Sequence, residues 1–300
     1  MPSTTLERPR GVRSITEQAV FLSIHFEAFG NTRHVASSRV EVDADKRRII
    51  VTKRLLDSEE LKSISRLDTD ALSYIDSKCL PYEKGLHVLP IGLIGQVEDA
   101  LQDLSRRREL LADAFTEKYP ELLETAREPL GVLFNKADYP TQEQVRARFR
   151  MTWNYVTLST PSSLKELSND LFQKERDKIQ QKMQDSYEEW RTMLRVGMAD
   201  LVERLKDSLV PGPDGKTKRL TDSSVNRLRE FLTTFEFRNI TDDADLASAS
   251  GKLKDLMQGI TPEQLRESET LKERTGLVIK QASEMLNTMT AGIRKLRSDD

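Results

Sequence analysis

The sequence predicts a mainly α protein in which a small N-terminal α+β unit precedes an elongated antiparallel helical bundle with coiled-coil-like long helices. Three observations predict it. Apolar residues at period two, the spacing of half-buried strands, are concentrated before about residue 55. From Pro90 onward apolar residues recur at helical spacing over stretches far longer than a typical globular helix. The chain of 300 residues is 32% charged and 37% hydrophobic, too apolar for a disordered polymer and too charged for a membrane protein. The expected division is a head at 1–89 and a long-helix bundle at 90–300, with a loop near 210–220.

Val20, Leu22, Ile24, Phe26 and Ala28 alternate with Ser23, His25 and Glu27, which reads as a strand ended by Gly30-Asn31. Val40 and Val42 face Ile49 and Val51 across Asp43-Ala44-Asp45-Lys46, the pattern of a hairpin. Asp57 with Glu60 forms a capping-box pattern that opens a helix through Leu61, Ile64, Leu67, Leu72 and Ile75, and Leu80 to Gly85 closes the head.

The next helix starts at Pro90 and carries Ile94, Val97, Leu101, Leu104, Leu111 and Phe115 at heptad spacing, with Arg108 as its one break. Pro120 and Pro129 should bend or end it. Tyr139-Pro140-Thr141 begins a short helix, and Trp153-Asn154-Tyr155-Val156 reads as extended. Ser163 with Glu166 marks a helix start, and the stripe from Leu164 through Leu171, Ile179, Tyr187, Trp190 and Leu205 predicts one nearly straight helix to Leu209. Pro211 to Gly215 is a loop, shorter helices follow at about 222–237 and 243–258, and Thr261-Pro262-Glu263-Gln264 opens a last long helix.

Lys and Arg total 47 against 49 Asp and Glu, so no basic field of the kind a dedicated nucleic-acid binder shows is expected. Cys79 is the sole cysteine and forms no internal disulfide, which fits a reducing cytoplasm. Arg8, Arg10 and Arg13 precede no apolar segment of signal-peptide length, and no run of 18 apolar residues occurs, so neither export nor a spanning helix is expected.

Chemistry-bearing motifs are sparse. Gly215-Lys216-Thr217 ends like a phosphate-binding loop, but Val210 stands where its first glycine belongs, and a helix precedes it in place of a strand. His25, His34 and His87 have no metal-ligand spacing, and no signature surrounds Cys79 and His87. Asp68/Asp70, Glu188/Glu189 and Asp242/Asp243/Asp245 read as solvated or capping carboxylates. No catalytic, cofactor-binding or metal residue is therefore expected, and the chain reads as a non-enzyme without a cofactor. Arg146, Arg148 and Arg150 surround Phe149 just before Trp153 and Tyr155, the interleaving of cations and aromatics that single-strand binders use. Core packing of those aromatics is the favoured reading, and nucleic-acid contact the alternative.

Phe29-Gly30-Asn31-Thr32-Arg33, Lys53-Arg54-Leu55-Leu56, Leu86-His87-Val88-Leu89-Pro90 and Leu133-Phe134-Asn135 with Asp138-Tyr139-Pro140 occur in an order that resembles an uncharacterised family of helical proteins of bacteria and phages, over roughly residues 15–260. The resemblance implies a neighbourhood of MoxR-type AAA+ ATPases and von Willebrand A-type proteins, hence an adaptor or substrate of such an ATPase. It implies no catalytic residues. The expected function is a scaffold or interaction protein assembling through long amphipathic helices, with itself or with a component of an AAA+ system.

Overall fold

The computed structural model describes residues 15–41, 45–212 and 215–297. Its N-terminal part is α1 (Ile15–Gln18), β1 (Ala19–Glu27), β2 (Thr32–Val35), β3 (Val51–Arg54), α2 (Glu59–Lys78), β4 (Leu80–Glu83), β5 (Leu86–Pro90), α3 (Ile94–Thr125), α4 (Arg127–Leu130), α5 (Gln142–Arg146) and β6 (Arg150–Val156). The helical part is α6 (Ser163–Leu167), α7 (Asn169–Leu209), α8 (Asp222–Arg238), α9 (Ala244–Met257), α10 (Pro262–Glu267) and α11 (Glu269–Arg297). The mainly α class with a small N-terminal antiparallel sheet region is what the sequence predicts.

The main sheet has the order β4-β5-β1-β6, all antiparallel, and β2 pairs with β3 alone. β1 is central, and its two faces meet different layers. Leu22 and Ile24 share a core with Ile75, Leu89, Val97 and Leu101 of the α2/α3 side. Ala19 and Phe21, with Leu80 and Val88, belong to the bundle core that contains Trp190, Leu194 and Met198. Only the end of the strand keeps a wet face, at His25 and Glu27. The alternation read from the sequence describes that end, and the docked bundle accounts for buried Phe21.

Several local expectations move. The segment 86–90 is a strand rather than a helix start, and β6, far beyond residue 89, returns to pair with β1. The hairpin is Thr32–Val35 with Val51–Arg54; Val40 and Ile49 lie in no strand, and Val42 to Ala44 lie outside the described residues. Asn31 sets that register: its side-chain amide donates to the Leu56 carbonyl at 2.7 Å and accepts from the Leu56 N–H at 2.8 Å. Ser58, not Asp57, caps α2, with its hydroxyl accepting from Leu61 N–H.

Arg108 does not interrupt the stripe of α3; it is only 2% exposed and points inward. Its guanidinium grips Asp68 of α2 through two nitrogens, at 2.7 and 3.2 Å, and donates to the Glu27 carbonyl of β1 at 2.7 Å. A buried cation is tolerable only when paired and hydrogen-bonded in this way. Pro120 lies inside α3 without ending it. Its missing N–H would leave the Thr116 carbonyl unpaired, and the Gln142 amide supplies the donor at 2.8 Å.

The single helix expected from 163 is two. Ser168 leaves helical geometry at φ −161° and caps α7 by accepting from Leu171 N–H, and the Ser163 capping box does not form. Ser268 divides α10 from α11 in the same manner, accepting from Leu271 N–H. α7 and α11 run antiparallel: Gly276 lies against Leu209 and Val210, and Ser283 reaches Glu203. A side chain at Gly276 would press on Val210, so the glycine sets how closely these helices approach.

Candidate functional site

The arginine and aromatic segment 146–155 forms the turn from α5 into the outer strand β6. A full capping box between Thr141 and Gln144 starts α5. Phe149 is buried edge-to-face on Phe115, with ring centroids 5.5 Å apart. Arg146 pairs with Asp113, and Arg150 donates to Glu27 at 2.7 Å, while Arg148 is exposed. Trp153 Nε1 and Tyr155 OH both donate to one oxygen of Glu98, at 2.9 and 2.7 Å. Hydrogen bonds from Tyr155, Gln102 and Trp153 hold the Glu98 carboxyl below the usual carboxylate range. Burial, with Glu98 adding to it, pushes the Tyr155 phenol up. Both aromatics therefore present their polar ends to a negative charge, which a phosphate backbone would have to approach. A cavity of about 340 Å³ beside this turn is lined by Arg108, Arg146, Phe149, Arg150 and Met151.

A cavity of about 590 Å³ lies between the end of α7, the loop after it and α11. Glu203 accepts from Ser283 at 2.6 Å and from Lys206, and Asn287 donates to Ser283 at 3.3 Å. Desolvation raises the Glu203 carboxyl and these hydrogen bonds lower it by more, leaving it below its ordinary value. Lys218 fastens the loop to α7 by pairing with the Asp207 carboxylate and donating its N–H to the Asp207 carbonyl, at 2.7 and 2.8 Å. Gly215-Lys216 closes a turn between helices, with Gly215 at φ +71°, and a helix stands where a phosphate-binding loop needs a strand. Both lysines, Lys206 and Lys280 among them, and carboxylates, Asp207 and Glu284 among them, line this cavity.

The other reactive side chains are tied into structure. Burial pushes the Cys79 thiol up to about 12, far from thiolate chemistry at neutral pH. Burial lowers His87, whose Nδ1 lies 3.7 Å from Asp76. Asp68 holds Arg108, and Asp243 caps α9 while pairing with Arg195 at 2.6 Å. No group of His, Cys, Asp and Glu able to hold a metal ion occurs among the described residues. No described helix is long and apolar enough to cross a membrane.

The motifs at Phe29–Arg33, Lys53–Leu56 and Asp138–Pro140, distant in sequence, meet in one place. Lys53 pairs with Asp138 at 2.6 Å, Tyr139 OH donates to Leu55 O at 3.1 Å, and Tyr119 OH donates to Pro140 O at 2.8 Å. They fasten the β2–β3 hairpin to the connection after α3, so their work is architectural.

A different kind of surface lies on α6 and the first half of α7. Leu167 is 80% exposed and Leu171 42%, and the first buried side chain of α7 is Ser186. The preceding turns of α7, roughly 25 Å of helix at 1.5 Å per residue, carry exposed Leu171 and partly exposed Ile179 on that stripe. The sequence stripe names these residues but carries no sign that only its second half is covered. Comparison with protein-family models, with curated proteins and with solved structures finds no match for this chain.

Proposed function

We propose that this chain is a non-enzymatic scaffold or interaction protein that assembles through its long amphipathic helices, with α6 and the first half of α7 as the contact surface. The observation that carries this reading is the stripe from Leu167 to Ile179, left outside the core that buries the remainder of α7. Leucines at helical spacing gain about 25 cal/mol per Å² when a second helix covers them. A reducing, cytoplasmic setting suits the buried free thiol of Cys79.

Light scattering behind size exclusion tests the reading. The wild type should run as a defined oligomer, and Leu167→Glu with Leu171→Glu should lower its mass without lowering its helix content. A mass that these substitutions leave unchanged overturns self-assembly through the stripe. The family resemblance supports a MoxR-type AAA+ ATPase as the further partner, with this chain as its adaptor or substrate. A purified MoxR-type ATPase should then change its ATP turnover on addition of the wild type and not of the double variant.

Nucleic-acid binding through 146–155 is the competing reading, and exposed Arg148 and Tyr155 are what favour it. Replacing Arg146, Arg148 and Arg150 by Ala should leave both the 260/280 nm absorbance ratio of the purified protein and its retention in low salt unchanged. A salt-dependent loss of bound nucleic acid in that variant would reverse the ranking.

A further inference from the structure

The main sheet has two outer strands, and they are finished differently. β4 contains Pro81, shifts register between Pro81 and Glu83, and is covered by α7. Trp190 Nε1 donates to the Pro81 carbonyl at 2.5 Å, and Lys182 pairs with Glu83. Proline, a bulge and a covering helix each stop an edge from recruiting another strand. β6 has neither the proline nor the bulge, and α3 meets it through the side chains of Trp153 and Tyr155 at Glu98. Its seven residues pair with β1 in unbroken register, contain neither proline nor lysine, and end in exposed Tyr155 and Val156. Alternate backbone N–H and C=O groups of such a strand point outward, where no described strand receives them.

We infer that the free edge of β6 is a strand-pairing surface and that its occupant is β6 of a second copy, antiparallel about a twofold axis at Trp153. Residue chemistry selects that occupant. In the register that uses all seven residues, Trp153 meets its own copy, Met151 lies opposite Tyr155, Thr152 opposite Asn154, and Arg150 opposite Val156. No like charges face each other, a thioether meets an aromatic ring, and two neutral polar side chains pair. Arg150 keeps its carboxylate partner Glu27 on the adjoining strand of its own chain. The sheet would continue from one copy into the next, with β4 as its closed ends. This edge lies on the head, and the inference does not rest on the α6–α7 stripe.

Two variants of the full chain test it, because Thr152 and Asn154 are both exposed and neither supports the core. Thr152→Lys with Asn154→Lys sets lysine opposite lysine at both off-axis positions, whereas Thr152→Lys with Asn154→Glu sets lysine opposite glutamate. Sedimentation velocity from about 1 to about 100 µM should show a wild-type dimer, weakened about tenfold or more by the Lys/Lys pair and restored by the Lys/Glu pair. Equal behaviour of the two variants, or a wild type that stays monomeric throughout, overturns the inference. An oligomer dispersed by Leu167→Glu with Leu171→Glu but indifferent to the strand variants also overturns it, and leaves the stripe reading standing. The reverse pattern supports the edge and removes the stripe.

Discussion

The two halves of α7 share a helix, a pattern of leucines and an abundance of charge, yet they live in different surroundings. From Ser186 to Leu209 the apolar face is buried against α8, α11 and the sheet, with Trp190 fully enclosed and donating to Pro81. Before Ser186 the same kind of face carries Leu167, Leu171 and Ile179 in partial or full contact with solvent. An amphipathic pattern states that a helix needs a partner and is silent on where that partner comes from. In the second half the chain supplies it, because α11 returns antiparallel from Gly276 toward Thr290.

The comparison is broken most severely at Trp190. Trp190→Ala removes a fully buried ring and the hydrogen bond that joins bundle to head, and should cost about 3–5 kcal/mol in urea unfolding. Leu194→Ala, one turn on and equally enclosed, should cost about 2–4 kcal/mol. Glu203 gives the covered half a pH signature. Its folded carboxyl lies below its ordinary value of 4.5, so the native state binds fewer protons than the unfolded state in that range. The stabilisation is present above the ordinary value and lost as pH falls through the lower folded one, so Glu203→Gln should flatten the decline in melting temperature as pH falls below 4.5. The smallest effect belongs to the uncovered half: Leu171→Ala should change unfolding free energy of the dilute monomer by no more than about 0.5 kcal/mol. A loss there comparable to that of Leu194→Ala would show that the chain itself covers the stripe.

The head offers the converse lesson, since β1 and β6 were legible as extended segments while β2, β4, β5 and the pairing of every strand were not. The alternation from Val20 to Phe26 marks β1, but nothing in it says that β1 lies between β5 and β6 and not beside the nearer β2 and β3. Arg108 reads as an error in a heptad stripe until Asp68 and the Glu27 carbonyl are placed around it. Pro120 reads as a helix end until Gln142 satisfies the carbonyl it strands. In the candidate surface at 146–155 the residue types were visible, and Glu98, which receives both Trp153 and Tyr155, was not. Its signal is an ordinary glutamate on an amphipathic helix, one of many.

Composition, periodicity and capping residues alone determined that this chain is mainly helical, that strands gather near its start, and that the loop after Leu209 and the capping box at Thr261 lie where they do. Those properties follow from hydrogen bonds and side-chain spacings within a few residues. Tertiary structure decided which strand stands at the centre of the sheet, which edge stays open, which half of α7 is covered, and which charges are buried. Such choices depend on groups separated by tens to hundreds of positions, and local sequence preference does not encode which of them meet.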